Sequence, residues 1–537
     1  MAKATEIVLY CPFCGNNKMG RSALAGSGHQ RWKCKGCNRR TTQPLLQPPS
    51  DIDEDKEQRP PLNTYDYYEK LTKYIAKHST TRFVITSAQN ATPIYSPFFN
   101  TLLNICKRTD AKLIVIPYRY HNPTSVWSKK DESLDWWAQE IQPYLLEQNL
   151  LISNNLVMLG EIKTQPTAVN PTSGFETITG GKSAIIGHPK LELVSIPTPQ
   201  QKMAKIFTTT GAVTKPNYTT SKAGKKGEFH HTYAATFVEA TKDKFFLYQL
   251  VATVDGRIMH LDTEYLPDGK TKKIQPLGLV MGDTHQEFVD PGVMNATFID
   301  NDSMVKALKP KYLIWHDVHD FYSRNHHHEG RIFINYAKHL SNRDDVEKAL
   351  DETYQFLDRY SPSSCNNIFV PSNHPDALAR WIERNADHPG EDPKNLVFWA
   401  KTFQAMAEGT KMTESRSVTI DPFEYWARSK MKCYSRSVFL KRDQSFRLQG
   451  VEVAYHGDQG SNGSRGNIRG FGKIGTRSII GHSHTPGIKD GVYQVGTSSF
   501  LALEYNKGPS SWMHCHGIIY PNGKRSLLFI VDGDWRV

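Results

Sequence analysis

The sequence predicts an α/β protein preceded by a small cysteine-bearing unit, and three observations predict it. Between residues 277 and 484, apolar runs of strand length each end in a polar cluster and alternate with amphipathic helices. Upstream, RFVITSA, SPFFNTLLNICKR and AKLIVIP read as strand, helix and strand, a βαβ unit with a buried parallel sheet. At the N-terminus, Cys11, Cys14, Cys34 and Cys37 stand as two CxxC pairs.

A chain of 537 residues exceeds one ordinary hydrophobic core, so several domains are expected. The hydrophobic fraction of 38% and mean hydropathy of -0.53 fit a globular protein. No window approaches the ~18 consecutive apolar residues of a membrane helix. The start, MAKATEIVLYCPFCG, has no apolar segment leading to a small-residue cleavage site. A cytoplasmic protein without a membrane partner is the expectation. Cys106, Cys365, Cys433 and Cys515 are scattered singly, so the paired cysteines suggest metal knuckles rather than a disulfide framework. The net charge of +12 and pI near 9.1 favour a polyanionic partner, nucleic acid being the commonest. A charge that serves only solubility is the alternative.

Residues 1–42 form the first unit. Nineteen residues separate Cys14 from Cys34, a spacing at which four thiolates close a tetrahedral, structural Zn²⁺ site. A unit so short has little core, and the metal would supply most of its folding free energy. The stretch GHQRWKCKGCNRRTT is similar to transposase-type zinc ribbons. Arg31, Trp32, Lys33, Lys35, Arg39 and Arg40 offer phosphate contacts around an aromatic platform, with protein binding as the alternative.

Residues 43–63, rich in Pro and acidic side chains, read as a linker. Residues 64–160 read as a small α/β domain, or an α/β half that joins the larger one, opened by a helix through TYDYYEKLTKYIAKH with Tyr67, Leu71 and Ile75 on one face. Residues 161–275 read as a β-rich segment of short runs such as SAIIGHP, LELVSIP and KFFLYQLVATV. Its basic stretch SKAGKKGEF is expected as a disordered, DNA-facing loop or a solvated hairpin tip. Residues 276–537 carry the densest chemistry, and the helix DDVEKALDETYQFLDRY should bury Val346, Leu350, Tyr354 and Leu357.

Ligands of open α/β sheets gather at the C-terminal ends of strands. LGLVMGDTH ends in Asp283 and His285, KYLIWHDVHD in Asp317, NNIFVPSNH in Asn373 and His374, VEVAYHGDQG in His456, and RSIIGHSH in His482 and His484. A lone DxH or HxH is commonplace, usually a surface or satisfied core histidine. Five such clusters in order, each ending an apolar run, are far more specific. Carboxylate, imidazole and amide oxygen together suit Mn²⁺, Fe or Zn²⁺ better than Mg²⁺.

This ordered set resembles the calcineurin-like metallophosphoesterases, whose pattern is DxH, GDxxD, GNH(D/E), a lone His and GHxH. The match covers about residues 277–500 and extends to the C-terminal strands. It implies a four-layer α/β/β/α sandwich with a dinuclear site at its edge. It further implies that one metal takes Asp283, His285, Asp317 and His484, and the other Asp317, Asn373, His456 and His482, with Asp317 bridging. His374 would stabilise the transition state or protonate the leaving oxygen, oriented by Asp320, with Asp376 as a rival partner. Arg324 would contact phosphate. Three positions depart from the pattern: His316 and Ser372 replace glycines, and Pro375 follows His374.

The loop at residues 456–475 combines glycines with Arg465, Arg469 and Lys473, which suits a phosphodiester backbone; incidental charge on a flexible loop is the alternative. Among Asn325, His326, His327 and His328, at least two histidines are expected to be solvated. The leading expectation is an SbcD-like nuclease that hydrolyses DNA by metal-activated hydroxide attack, with two divalent metals, Mn²⁺ foremost, and one structural Zn²⁺. The layout also resembles the pre-early, host-DNA-degrading DNases of T5-like phages, which would place it in an infected bacterial cytoplasm. A protein or nucleotide phosphatase is one alternative, and an inactive DNA-binding or scaffold protein another. Related nucleases are often homo-oligomers, although the sequence carries no interface signature.

Overall fold

The computed structural model describes residues 9, 11, 17–22, 30–36, 38, 40–41, 64–120, 122, 125, 127, 136–199, 202–504 and 506–537. The chain divides into two units, Met1–Asn63 and Thr64–Val537. In the first, strands Met19–Arg21, Trp32–Cys34 and Arg40–Thr41 form an antiparallel three-stranded sheet. Cys11 and Cys34 are buried, and the Gly36 N–H donates to Cys34 Sγ at 3.2 Å. Cys14, Cys37, Arg39 and the linker at 43–63 lie outside the described residues, and so does the four-thiolate arrangement expected from them.

In the second unit the expected βαβ unit is present. Strand Thr81–Gln89 pairs in parallel with Lys112–Tyr118 through helix Ser96–Thr109. The helix stops where Asp110 turns into the left-handed region at φ 52°. Strands Ala234–Ala240 and Phe245–Val251 extend this sheet to four strands.

A six-stranded sheet runs in the order Ser437–Phe439, Asn366–Phe369, Tyr312–Trp315, Gly278–Val280, Cys515–Ile519, Arg525–Phe529. Its first four strands are mutually parallel, so their C-terminal ends share one edge. Helix Val346–Tyr360 accompanies it. Asp345 accepts the Lys348 N–H as its N-cap, worth about 1 kcal/mol, and Val346, Leu350, Tyr354 and Leu357 are buried as the periodicity requires.

The third sheet has ten strands. It joins Arg447–Leu448, Val451–Glu452, Ser478–Ile480, Val492–Gln494 and Gly487–Lys489 to five strands drawn from residues 150–209. One buried apolar cluster unites Val280, Ile314 and Ile519 of the six-stranded sheet with Ile479 and Ile488 of the ten-stranded one, and with Phe83 and Ile114 of the four-stranded one. The segments delimited in the sequence at 64–160 and 161–275 therefore share sheets and a core with the C-terminal half. The basic stretch at 221–229 is also not a loop. Lys222–His230 is a helix, started by Ser221 accepting the Gly224 N–H.

Candidate metal centre

Loops from two sheets converge on the site. Parallel strands Gly278–Val280, Tyr312–Trp315 and Asn366–Phe369 deliver Asp283, His285, Asp317, Asp320, Asn373 and His374. The parallel strands Val451–Glu452 and Ser478–Ile480 deliver His456, His482 and His484. His285, Asp317, His482 and His484 all have positive φ, between 41° and 72°. Non-glycine residues in that region each cost on the order of 1–3 kcal/mol, and such strain concentrates at functional sites.

Two groupings of donor atoms stand side by side. Asp283, His285 and His484 place ligand atoms within 4.8 Å of one another, and so do Asp317, His456 and His482. Within the first, His484 Nε2 lies 3.2 Å from Asp283 Oδ2 and 3.0 Å from His285 Nε2. Within the second, His456 Nε2 lies 2.9 Å from Asp317 Oδ2. Asp317 Oδ2 is also 4.0 Å from His285 Nε2, between the two groupings. Donors ~3 Å apart suit one ion at ligand distances of about 2.0–2.2 Å.

The unsatisfied atoms point the same way. Oδ1 of Asp283, Oδ1 of Asp317 and Oδ1 of Asn373 are buried without a hydrogen-bond partner among the described residues. Orphaned acceptors of this kind cost about 1–3 kcal/mol each, more when charged, and a cation would satisfy them together. The donor set therefore fits divalent metal. Six of the seven candidate ligands expected from the sequence fall in these groupings, and the seventh, Asn373, has its Oδ1 buried without a hydrogen-bond partner among the described residues.

Electrostatics reinforce the geometry. Burial opposes the negative charge of Asp317, but the imidazoles of His456 and His374 outweigh it and hold the carboxyl well below its ordinary range. Burial likewise opposes protonation of His456 and His285, yet the facing aspartates raise both to about 9. The cage is thus a carboxylate cluster that attracts positive charge.

His374 lies beside the cage. Its Nδ1 is 3.1 Å from the Asp320 carbonyl and 3.3 Å from Asp320 Oδ1, and its ring meets His285 edge-on at 4.7 Å. Asp320 also accepts from His285 Nδ1 at 2.8 Å, which leaves His285 Nε2 facing the donors. One carboxylate therefore orients both a ligand and the candidate acid. Asp376, the rival partner, is instead paired with Arg442 at 2.6 Å.

Among the remaining sequence expectations, that for Arg324 resolves differently. Arg324 does not offer its guanidinium to a phosphate; Asp392 holds it through two oxygens, at 2.5 and 2.7 Å. Its position after Asp317 was informative, but a carboxylate 68 residues further on could not be foreseen. Arg465 and Arg469 are exposed, with no ion-pair partner among the described residues, on a loop containing the short helix Ile468–Gly472. His326 and His327 are exposed, while His328 is buried 3.6 Å from Glu504.

Sequence reasoning missed other participants. His316 Nδ1 lies 3.2 Å from His456 Nδ1. Burial, then the neighbouring His456, push His316 down to about 4, so it is a neutral partner that orients His456. Its place just before Asp317 was the available signal. Glu287 accepts the Asp320 N–H at 3.0 Å, and burial with the nearby Asp320 charge raises it to about 8. Gly481 has a steric role: a Cβ there would stand 2.3 Å from Asp283 Oδ1. Trp512 closes over His484, with ring centroids 4.1 Å apart.

Fold and site define a mixed α/β protein with a buried carboxylate–imidazole centre fitted to divalent cations. No protein-family model and no solved structure matches the chain. It is 33% identical over 465 residues to protein A1 of Escherichia phage T5, covering 84% of this chain and 82% of that protein. The chain belongs to the family of that phage protein. No helix among the described residues is long and apolar enough to cross a membrane.

Proposed function

We propose that this protein is a two-metal phosphodiesterase that hydrolyses DNA, a nuclease of the calcineurin-like, SbcD-like type. The observation that carries the reading is the pair of adjacent donor groupings, Asp283–His285–His484 and Asp317–His456–His482, with Asp317 between them. The packing of the six- and ten-stranded sheets on one core supports the four-layer sandwich. Two divalent cations, Mn²⁺ foremost, would supply an ionised water at neutral pH and neutralise charge on the phosphate. Asp317 holds both positions in register, and Asn373 Oδ1 completes the second set.

His374 is the acid in this reading. Asp320 fixes its Nδ1, which leaves Nε2 to give a proton to the leaving oxygen. The net charge of +12 and exposed Arg465 and Arg469 supply attraction for a phosphodiester chain. In the N-terminal unit, Cys11, Cys14, Cys34 and Cys37 are assigned one structural Zn²⁺. Arg21 stacks over Trp32 at 5.6 Å, which favours a nucleic-acid platform there. Kinship with a phage T5 protein supports a setting in the host bacterial cytoplasm during infection.

The test is incubation of the protein with Mn²⁺ and supercoiled plasmid, linear duplex and a generic phosphate monoester in parallel. Metal-dependent loss of DNA, abolished by chelator, is the expected result. Hydrolysis of the monoester with intact DNA would establish a phosphatase instead, and inertness toward both would establish a binding protein.

A further inference from the structure

One cavity stands away from the metal-centre residues. It encloses about 540 Å³, within the range of small-molecule sites, and opens where strands Ser478–Ile480, Val492–Gln494 and Arg525–Phe529 begin. Besides the paired Lys190, four cations line it: Lys226, Arg477, Lys524 and Arg525. Among the described residues no carboxylate lies within ion-pair distance of any of these four. The acid in the lining, Asp490, is already paired with Lys190 at 2.8 Å.

Arg525 is the sharpest element. It is 6% exposed, yet two backbone carbonyls, of Ser478 and Gly491, take its Nη1 at 2.9 and 2.8 Å, and its Nε is buried without a partner. Its guanidinium lies 4.4 Å from the Tyr493 ring centroid. Beside it, burial and the charges of Arg477 and Arg525 pull the Lys524 ammonium below its ordinary range. A buried guanidinium with neighbouring cations and no counter-charge is costly, and an anion would recover part of that cost. The lining also includes the apolar side chains of Phe229, Val169 and Ile488. Phe229, on helix Lys222–His230, is 83% exposed at the rim.

We propose that this cavity is a binding site for a nucleoside monophosphate, distinct from the metal centre. Its phosphate meets Arg477, Lys524 and Arg525, and its base lies along Phe229 and Val169. A double helix is too broad for the cavity, whereas one nucleotide is of the right order. The assignment stands on the cavity alone and does not require the chain to be a nuclease.

The experiment is isothermal titration of the full chain with dAMP in chelator, so that no divalent cation contributes at the carboxylate cage. Inorganic phosphate and deoxyadenosine are titrated in parallel. Saturable dAMP binding with Kd below about 1 mM, at least tenfold tighter than either fragment, is expected. Arg477→Gln and Lys524→Gln should each weaken it by tenfold or more with an unchanged melting temperature. Arg477 is exposed, so its variant reads the site even if Lys524→Gln unfolds the chain. No saturable binding, phosphate binding as tightly as dAMP, wild-type affinity in Arg477→Gln, or displacement of dAMP by blunt duplex DNA would each overturn the assignment.

Discussion

Strand Ser478–Ile480 runs between two sites of opposite chemistry. Its C-terminal end passes through Gly481 into His482 and His484, beside buried aspartates whose Oδ1 atoms have no hydrogen-bond partner among the described residues. Its N-terminal end follows Arg477, beside Lys524 and the buried Arg525, none of which has a carboxylate within ion-pair distance among the described residues. One end gathers acceptors and fits cations; the other gathers donors and fits an anion. Only about five residues, or ~16 Å of extended chain, separate Arg477 from His482. Each end holds buried polar atoms that the protein leaves without a hydrogen-bond partner, Asp283 Oδ1 and Asp317 Oδ1 at one and Arg525 Nε at the other.

The comparison can be broken from the cage end. Asp317→Ala removes the group common to both donor groupings. It should lower Mn²⁺-dependent DNA cleavage by about 10³-fold or more and abolish calorimetric Mn²⁺ binding. Retained Mn²⁺ binding at wild-type affinity would show that Asp317 does not bridge. His374→Ala should leave Mn²⁺ affinity intact while turnover falls by roughly 10²–10⁴-fold. Wild-type turnover in that variant would remove His374 from the chemistry.

Finer changes sharpen the contrast. In Gly481→Ala the new methyl would press on Asp283 Oδ1, so Mn²⁺ affinity should fall about 10–100-fold, comparable to loss of a supporting contact. The cationic end should be indifferent, and a fall in dAMP affinity there would show that the strand couples the two sites. The smallest effect belongs to Arg324→Ala. Its guanidinium is already committed to Asp392, so cleavage should change less than about tenfold, with a stability loss near 1 kcal/mol read from the melting curve. A drop as large as that of His374→Ala would restore Arg324 to the phosphate.

Most of the cage was legible because its information is local. A ligand that follows a strand by two or three residues is positioned by that strand, and parallel strands put their C-terminal ends together. Hence GDTH, HDVHD, SNH, HGDQG and GHSH could each be read in isolation and still meet. The same logic found Asp320 beside His374 but could not choose between it and Asp376. The choice was made by Arg442, which claims Asp376 from 66 residues away. Arg324 was misread for the same reason, its partner Asp392 lying in another segment.

The sequence by itself determined the strand–loop–helix order, the seven donor residues and the two CxxC pairs, since each depends on spacing within a few residues. The tertiary structure alone decided that strands from residues 150–209 enter the same sheet as Ser478–Ile480, because non-local pairing leaves no mark in local periodicity. It alone drew Lys226, Arg477, Lys524 and Arg525 around one cavity. In sequence these are ordinary surface cations; their convergence on one cavity exists only after the chain has folded.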